Sequence, residues 1–344
     1  MANPHQLIAT YGLEQGLTQA KAAGLDPKLA SILQGFYGDA GEDDGFQYAG
    51  LCLLGLPHRR LEREDMVWER ELNRPDYACS LIVEPGLLKI RGRNERLGVP
   101  FGPAARMILI YLQTQAVRSR SREVRLGTSM HDWLTRMGMS IGGRQYDAVR
   151  DQAKRISACT LRFIWGDERT SGFDKDAIIK RGLLLLEHLD GQQPRLWDEH
   201  VVLGETFYHA LCERPVPINL GAIRQIANSS QAIDVYIWLA YRLHALKKRT
   251  ELSWSAVREQ FAPETTRVDR FRDRFGKALE AAMCVYPDAR VTWNSRSLIL
   301  HPSPPPVRER SFAVVQGLPQ GGAQGAVSTQ TTNAGGTLIL AGED

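Results

Sequence analysis

One order of features occurs twice in the chain, about 125 residues apart, and it restricts the fold more than anything else in the sequence. Its first copy begins at Pro100-Phe101-Gly102-Pro103. Proline suits the first turn of a helix, where its missing N–H would be unpaired anyway, so a helix is predicted from near Pro103. The run Met107 to Leu112 makes that helix apolar all round, which places it inside the fold, and it ends in RSRSR. Val124 and Leu126 then alternate with Arg125 in a short strand. Ser129 with Asp132 has the spacing of a capping box, opening a helix that carries Met130, Trp133, Leu134 and Met137 on one face. Gly142-Gly143 turns the chain into a helix from Arg144 to Ala158, with Tyr146, Val149, Ala153 and Ile156 inward. Arg144, Asp147, Ala148, Asp151 and Arg155 face outward in this reading. In the second copy, Ile233 to Leu246 is again apolar all round and ends in LKKRT. Glu251-Leu252 matches the short strand, Trp254 to Phe261 the short helix, and Arg267 to Met283 the basic helix.

The stretch after Ser253 is the more informative copy. Ser253 caps the short helix, and a turn at Pro263 separates it from the next. Val268, Phe271, Phe275, Leu279 and Ala282 fall on one face of the long helix, with Arg270 and Lys277 opposite and Arg267 and Arg274 flanking. Short strands are predicted at Cys284 to Tyr286, Val291 to Trp293 and Ser297 to Leu300, around the turns Pro287-Asp288 and Asn294-Ser295. In the first copy, strands at Thr160 to Trp165 and Ile178 to Leu185 enclose the polar loop GDERTSGFDKD, which has the length and chemistry of a wing. Helix, strand, helix, basic helix and a two-stranded wing is the order of a winged helix-turn-helix. The expected fold is therefore α+β, mainly helical, with tandem winged helix-turn-helix modules and a disordered C-terminal tail.

Charge supports a polyanionic partner through its distribution, since the formal net charge is only +4. Between Arg118 and Arg162 stand ten basic residues against four acidic ones, and between Arg267 and Arg296 seven against four. Both excesses coincide with the strongest helical patterns. The DNA-facing residues expected in the second module are Arg267, Arg270, Arg274 and Lys277, with Arg290 and Arg296 from the wing. Arg270, near the helix start, is the candidate for a bidentate contact to guanine. Arg144, Ala148, Lys154 and Arg155 take the equivalent places in the first module, where Asp147 and Asp151 share the face. Those acids suit either cytosine contacts or a protein partner.

With 344 residues the chain can bury more than one core. Residues 1–50 read as a flexible leader, with one amphipathic helix near Leu17 to Leu33 and the acidic GDAGEDDG. Residues 51–200 form the first module, with N-terminal strands at Tyr48 to Leu56, Tyr77 to Val83 and Leu87 to Arg91. A connector runs from Leu196 to Val202, a short helix spans Thr206 to Leu211, and Pro215-Val216-Pro217 marks a boundary. Residues 201–303 form the second module. From 304 to 344 the composition cannot bury enough apolar surface to offset the entropy of ordering, so a disordered tail is expected.

The residues speak against several other chemistries. The five cysteines are far apart and form no C-x-x-C, so neither a disulfide framework nor a zinc site is expected, and a reducing cytoplasm fits. No signal peptide opens the chain, and no apolar run approaches the ~20 residues that cross a bilayer. His188, Asp190, Asp198, Glu199 and His200 read as exposed residues and not as a metal site. Tyr146 lies on a buried stripe and no H-x-H is present, so a nicking tyrosine is not expected; no G-x-x-x-x-G-K-[ST] is present either. Gly142-Gly143 reads as a tight turn and not as a phosphate cradle. Neither catalysis nor a cofactor is expected.

The segments VPFGPAARMILIYLQTQAVRSRSREVRLGTSMHDWLTRMGMSIGG, PVPINLGAIRQI, AIDVYIWLAYRL and VYPDAR followed by LILHPSPPPV resemble the plasmid-encoded replication initiators of the RepA type, over roughly residues 98–306. That family usually has tyrosine where this chain has Phe101 and proline where it has Ala105, and neither difference affects the helix. The resemblance implies binding to repeats in double-stranded plasmid origin DNA, opening of an A+T-rich segment, and recruitment of the host initiator and replicative helicase. It also implies a homodimer in equilibrium with monomer and repression of the protein's own gene. A transcriptional regulator of the same fold, its first module serving for dimerisation, is the alternative.

Overall fold

The computed structural model describes residues 3–39, 43–74, 77–90, 92–166, 171–181 and 200–307. Three helices open it: α1 (Pro4–Tyr11), α2 (Leu13–Ala22) and α3 (Pro27–Gly38). Asn3 and Asp26 accept hydrogen bonds from the backbone N–H of His5 and Lys28, and Pro4 and Pro27 hold the first helical positions. At Gly16 the helices α1 and α2 approach so closely that a Cβ would lie 2.6 Å from the Ile8 Cα. Ile8, Leu17, Ala30 and Leu33 form a small core that also takes Cys284 from the far end of the chain. The expected loose leader is thus a packed helical unit. Its apolar residues find partners that lie more than two hundred residues away in sequence, which no local pattern announces.

Next come β1 (Asp44–Tyr48), α4 (Ala49–Leu53), β2 (Trp68–Arg74), β3 (Tyr77–Glu84), β4 (Gly86–Ile90) and β5 (Arg93–Leu97). The strand expected from Tyr48 to Leu56 ends at its first residue and continues as α4. Leu51, Leu53, Leu54 and Leu56 are all buried, and a run buried on every side carries no period to tell strand from helix.

The repeated part follows. The first module has α5 (Gly102–Ser119), β6 (Glu123–Arg125), α6 (Met130–Arg136), α7 (Gly143–Ala158), β7 (Thr160–Gly166), β8 (Ser171–Ala177), β9 (Ile179–Arg181) and β10 (His200–Leu203). After α8 (Glu205–Glu213), β11 (Pro215–Asn219) and α9 (Leu220–Gln225), the second has α10 (Ser230–Leu243), β12 (Thr250–Ser253), α11 (Trp254–Phe261), α12 (Val268–Cys284), β13 (Val291–Trp293) and β14 (Ser297–Leu300). The two sheets have the same order, β6-β10-β9 and β12-β14-β13, and every pairing is antiparallel. The protein is α+β and mainly helical, with two winged-helix modules in tandem.

The first wing departs from expectation. The strand at Thr160 belongs to a hairpin, β7–β8, which joins β2 and β3 in a four-stranded sheet of order β2-β3-β7-β8. One face of that sheet supplies Leu72, Cys79, Leu81, Val83, Leu161 and Phe163 to the core. Only the start of the strand expected at Ile178 to Leu185 is described, as β9; residues 167–170 and 182–199 lie outside the described residues, as does the tail from 308. Cys284 to Tyr286, expected as a strand, ends α12 and turns, with the Tyr286 N–H bonded to the Met283 carbonyl.

Several contacts join the modules, and two of them are central. Strand β1 pairs with β11, so Pro215-Val216-Pro217 is a strand and not a boundary. The N–H groups of Phe46 and Tyr48 point away from β11, to Thr114 Oγ1 and Gln113 Oε1 on α5. Their partners across the pair, Pro217 and Pro215, would also point N–H groups outward, so proline costs the ladder nothing there. The second contact is the buried pair Arg106–Asp234, between α5 and α10, with two bonds of 2.6 Å. Arg106 also donates to the carbonyls of Leu56, Pro57 and Gly102.

Candidate nucleic-acid interface

Helix α12 packs through Phe271, Phe275, Ala278, Leu279 and Ala282. Phe275 is closed in by Trp254, Phe261 and Phe271, with ring centroids 6.1, 5.0 and 5.3 Å away. Val268 was expected on this face but is 36% exposed, because the first turn extends past the end of the core. On the outer face Arg267, Arg270, Arg274 and Lys277 are all exposed. Arg267 is tied to Asp269 and holds that carboxyl down at about 2, helped by the Arg270 backbone N–H. Arg274 donates to Thr265 Oγ1 at 3.2 Å. Arg270 and Lys277 make no salt bridge among the described residues.

The wing is set against this helix by a small hydrogen-bond network. Asn294 Oδ1 accepts from the N–H groups of Arg296 and Ser297 at 2.7 and 3.0 Å, an Asx turn that shapes the tip. Trp254 Nε1 donates to the Asn294 carbonyl at 2.8 Å, and Arg272 reaches the Ser295 carbonyl at 3.4 Å. Arg296 stands exposed at that tip. Arg290 does not join the group. It precedes β13 at the base of the wing, where its N–H donates to Ser303 Oγ, about 13 Å along the strand from Asn294. Lys247 and Lys248, exposed after α10, are further cations at the foot of this module that the helical periodicity could not place.

The first module differs. Arg144 is exposed at the start of α7, while Ala148 and Lys154 are half-buried. Arg155, expected outward, is only 3% exposed. Its guanidinium binds Glu64 at 2.6 and 3.0 Å and Asp151 at 2.9 Å, over the ring of Phe101. It therefore cannot face a duplex. Its main partner lies 91 residues upstream in a loop, beyond the reach of any helical pattern. Arg150 pairs with Asp147 at 3.3 Å, so part of the charge on this helix is spent within the protein.

Arg155, Arg60 and the Gly98 N–H hold the Glu64 carboxyl far below its ordinary 4.5, at about 2. A carboxyl whose folded value is depressed stabilises the fold above its unfolded value, and that gain disappears as pH falls from about 4.5 towards 2. Glu64→Gln is expected to lower stability at neutral pH, with the gap to wild type closing across this acid range. Urea unfolding of both proteins at a series of pH values checks it; a gap of constant size would contradict the assignment.

Residues 99–256 match the family model of the plasmid-encoded RepA protein. Over this segment the chain is similar to the plasmid-encoded RepA family. The matched segment begins just before α5, spans the first module and ends within α11, so α12 and the second wing lie beyond it. A search of curated proteins found no match. Two solved structures of RctB, each covering domains 2 and 3, are similar to the chain with a TM-score of 0.46 in both cases. Their identities are 12% and 13%, over 71% and 74% of this chain and 94% and 97% of theirs. Among the described residues no helix is long and apolar enough to cross a membrane, and no group of metal-ligating side chains is assembled.

Proposed function

We propose that this protein is a plasmid replication initiator that binds repeats in double-stranded origin DNA, with α12 in the major groove and the wing of β13–β14 on the neighbouring backbone. The similarity of residues 99–256 to the plasmid-encoded RepA family supports the initiator role. The observation that carries the binding mode is the group of exposed cations Arg270, Arg274 and Lys277 on a helix whose opposite face is anchored by aromatic rings, with the exposed Arg296 at the tip of the wing that Arg272 of this helix holds. The protein performs no catalysis of its own in this reading. It opens the origin by binding, brings in the host initiator and helicase in the cytoplasm, and represses its own gene as a dimer in equilibrium with the binding-competent monomer.

Arg270→Ala is expected to weaken binding to an origin repeat by about 1 to 3 kcal/mol and to relax preference at one base position. Lys277→Ala should weaken all sequences alike and flatten the salt dependence by roughly one unit. Fluorescence-anisotropy titration against the repeat and its single-base variants measures both. An Arg270→Ala protein with unaltered affinity and sequence preference would remove α12 from the groove.

A further inference from the structure

The hairpin β4–β5 packs on α7, yet nothing in the winged-helix pattern asks for it. Its register is Gly86 with Leu97, Leu87 with Arg96, Leu88 with Glu95, Lys89 with Asn94 and Ile90 with Arg93. Directly opposed residues share a face, so Ile90 and Leu97, both buried, mark the inner side. Leu87, Lys89, Asn94 and Arg96 make up the outer side, and all four are exposed; Arg93, paired with Ile90 at the tip, and Glu95, paired with Leu88, belong to the inner side and are exposed as well. Lys89, Arg93 and Arg96 have no ion pair among the described residues. Two acids stand near Arg96: its neighbour Glu95, which faces the other side of the ribbon, and Asp65, already held by Arg63 at 2.9 and 2.5 Å.

The ribbon is also firmly rooted. Strand β4 starts so close to the end of α7 that a Cβ on Gly86 would lie 1.9 Å from the Ala158 carbonyl oxygen. At the other end, the Gly98 N–H donates to Glu64 at 2.7 Å, and Glu64 is bound to Arg155 of α7. The helix that spends Arg150 and Arg155 on internal partners therefore carries, bolted beside it, three cations that are not spent. An exposed ribbon keeps other strands away with charge of either sign. One sign in excess, on a module built to meet DNA, suits phosphate.

We propose that hairpin β4–β5 is a second nucleic-acid contact of the first module, an arm that lies along the phosphate backbone beside α7 through Lys89 and Arg96 on its outer side and Arg93 at its tip. This rests on the reading of the protein as a duplex-binding initiator. It supplies the first module with the backbone contacts that α7 lacks, and it carries no sequence preference.

The test uses the full chain with the substitutions Lys89→Ala, Arg93→Ala and Arg96→Ala together, titrated over a range of salt against a labelled origin-repeat duplex and a labelled random duplex. Each lost phosphate contact lowers the slope of log affinity against log salt by roughly 0.9, so a slope shallower by about 2 to 3 units is expected on both duplexes. Binding at low salt should be at least about tenfold weaker, and a charge-keeping variant, Lys89→Arg with Arg93→Lys and Arg96→Lys, should keep the wild-type slope. An unchanged slope in the alanine variant overturns the arm. So does an unchanged slope with loss of dimer in sedimentation velocity, which would make the ribbon a protein interface. If wild type binds neither duplex, the initiator reading itself falls; if wild type binds and only the variant fails to differ, the arm alone falls.

Discussion

Arg106→Ala is expected to lower stability by about 3 to 5 kcal/mol, among the largest effects of any single polar change in the molecule. Removing the guanidinium leaves the Asp234 carboxylate, itself little exposed, without its partner, and it also strips the donors from the carbonyls of Leu56, Pro57 and Gly102. An orphaned buried charge costs more than the pair contributes. Replacing both partners with apolar residues of similar volume, Arg106→Met with Asp234→Leu, should therefore recover much of the loss. Urea unfolding of the three proteins decides it. A double variant no more stable than Arg106→Ala would mean that the carbonyl contacts, and not the ion pair, dominate.

Phe275→Ala should cost a similar amount, about 3 to 5 kcal/mol, through the cavity it opens between Trp254, Phe261 and Phe271. This change acts on function as well as on stability. Phe275 sits on α12 one position from Arg274 and anchors the helix against α11, so its loss frees the outer cations from a fixed orientation. Specific binding to the repeat is expected to fall further than binding to random duplex, because base contacts depend on orientation and charge attraction does not. Phe275→Leu, which fills most of the space, should cost on the order of 1 kcal/mol and spare recognition. Equal losses on both duplexes for Phe275→Ala would indicate simple unfolding.

The second module was the most readable part of the chain. Trp254 to Phe261 was placed to the residue because its signals are local: Ser253 accepts from the Ala256 N–H, and Pro263 stops the helix soon after. Val291 to Trp293 and Ser297 to Leu300 were also placed to the residue, since Asn294 shapes the turn between them through its own side chain. The central helices α5 and α10 were found from unbroken apolar runs, which only a buried helix of that length accommodates.

What escaped depends on partners far along the chain. Arg155 has the periodicity of an outward residue, and only the return of Glu64 to that surface makes it internal. Residues 1–50 read as a flexible leader with one amphipathic helix near Leu17 to Leu33, yet three helices hold together there. They do so because Ile8, Leu17, Ala30 and Leu33 close over the end of α12, where His5 Nε2 also meets the Met283 carbonyl at 2.9 Å. Likewise, the hairpin β7–β8 has the composition of a wing, and only its pairing with β3 gives it another place.

The pairing of β1 with β11 bears on how such a molecule can be dissected or exchanged. Repeated units are commonly treated as beads that scissors may separate at the connector, here the residues between β10 and β11. A cut there would leave each fragment with an orphaned strand, and the carboxylate of Asp234 or the guanidinium of Arg106 stranded on opposite pieces. Neither fragment inherits a finished surface, so any engineering scheme has to carry the two modules as a single indivisible cargo.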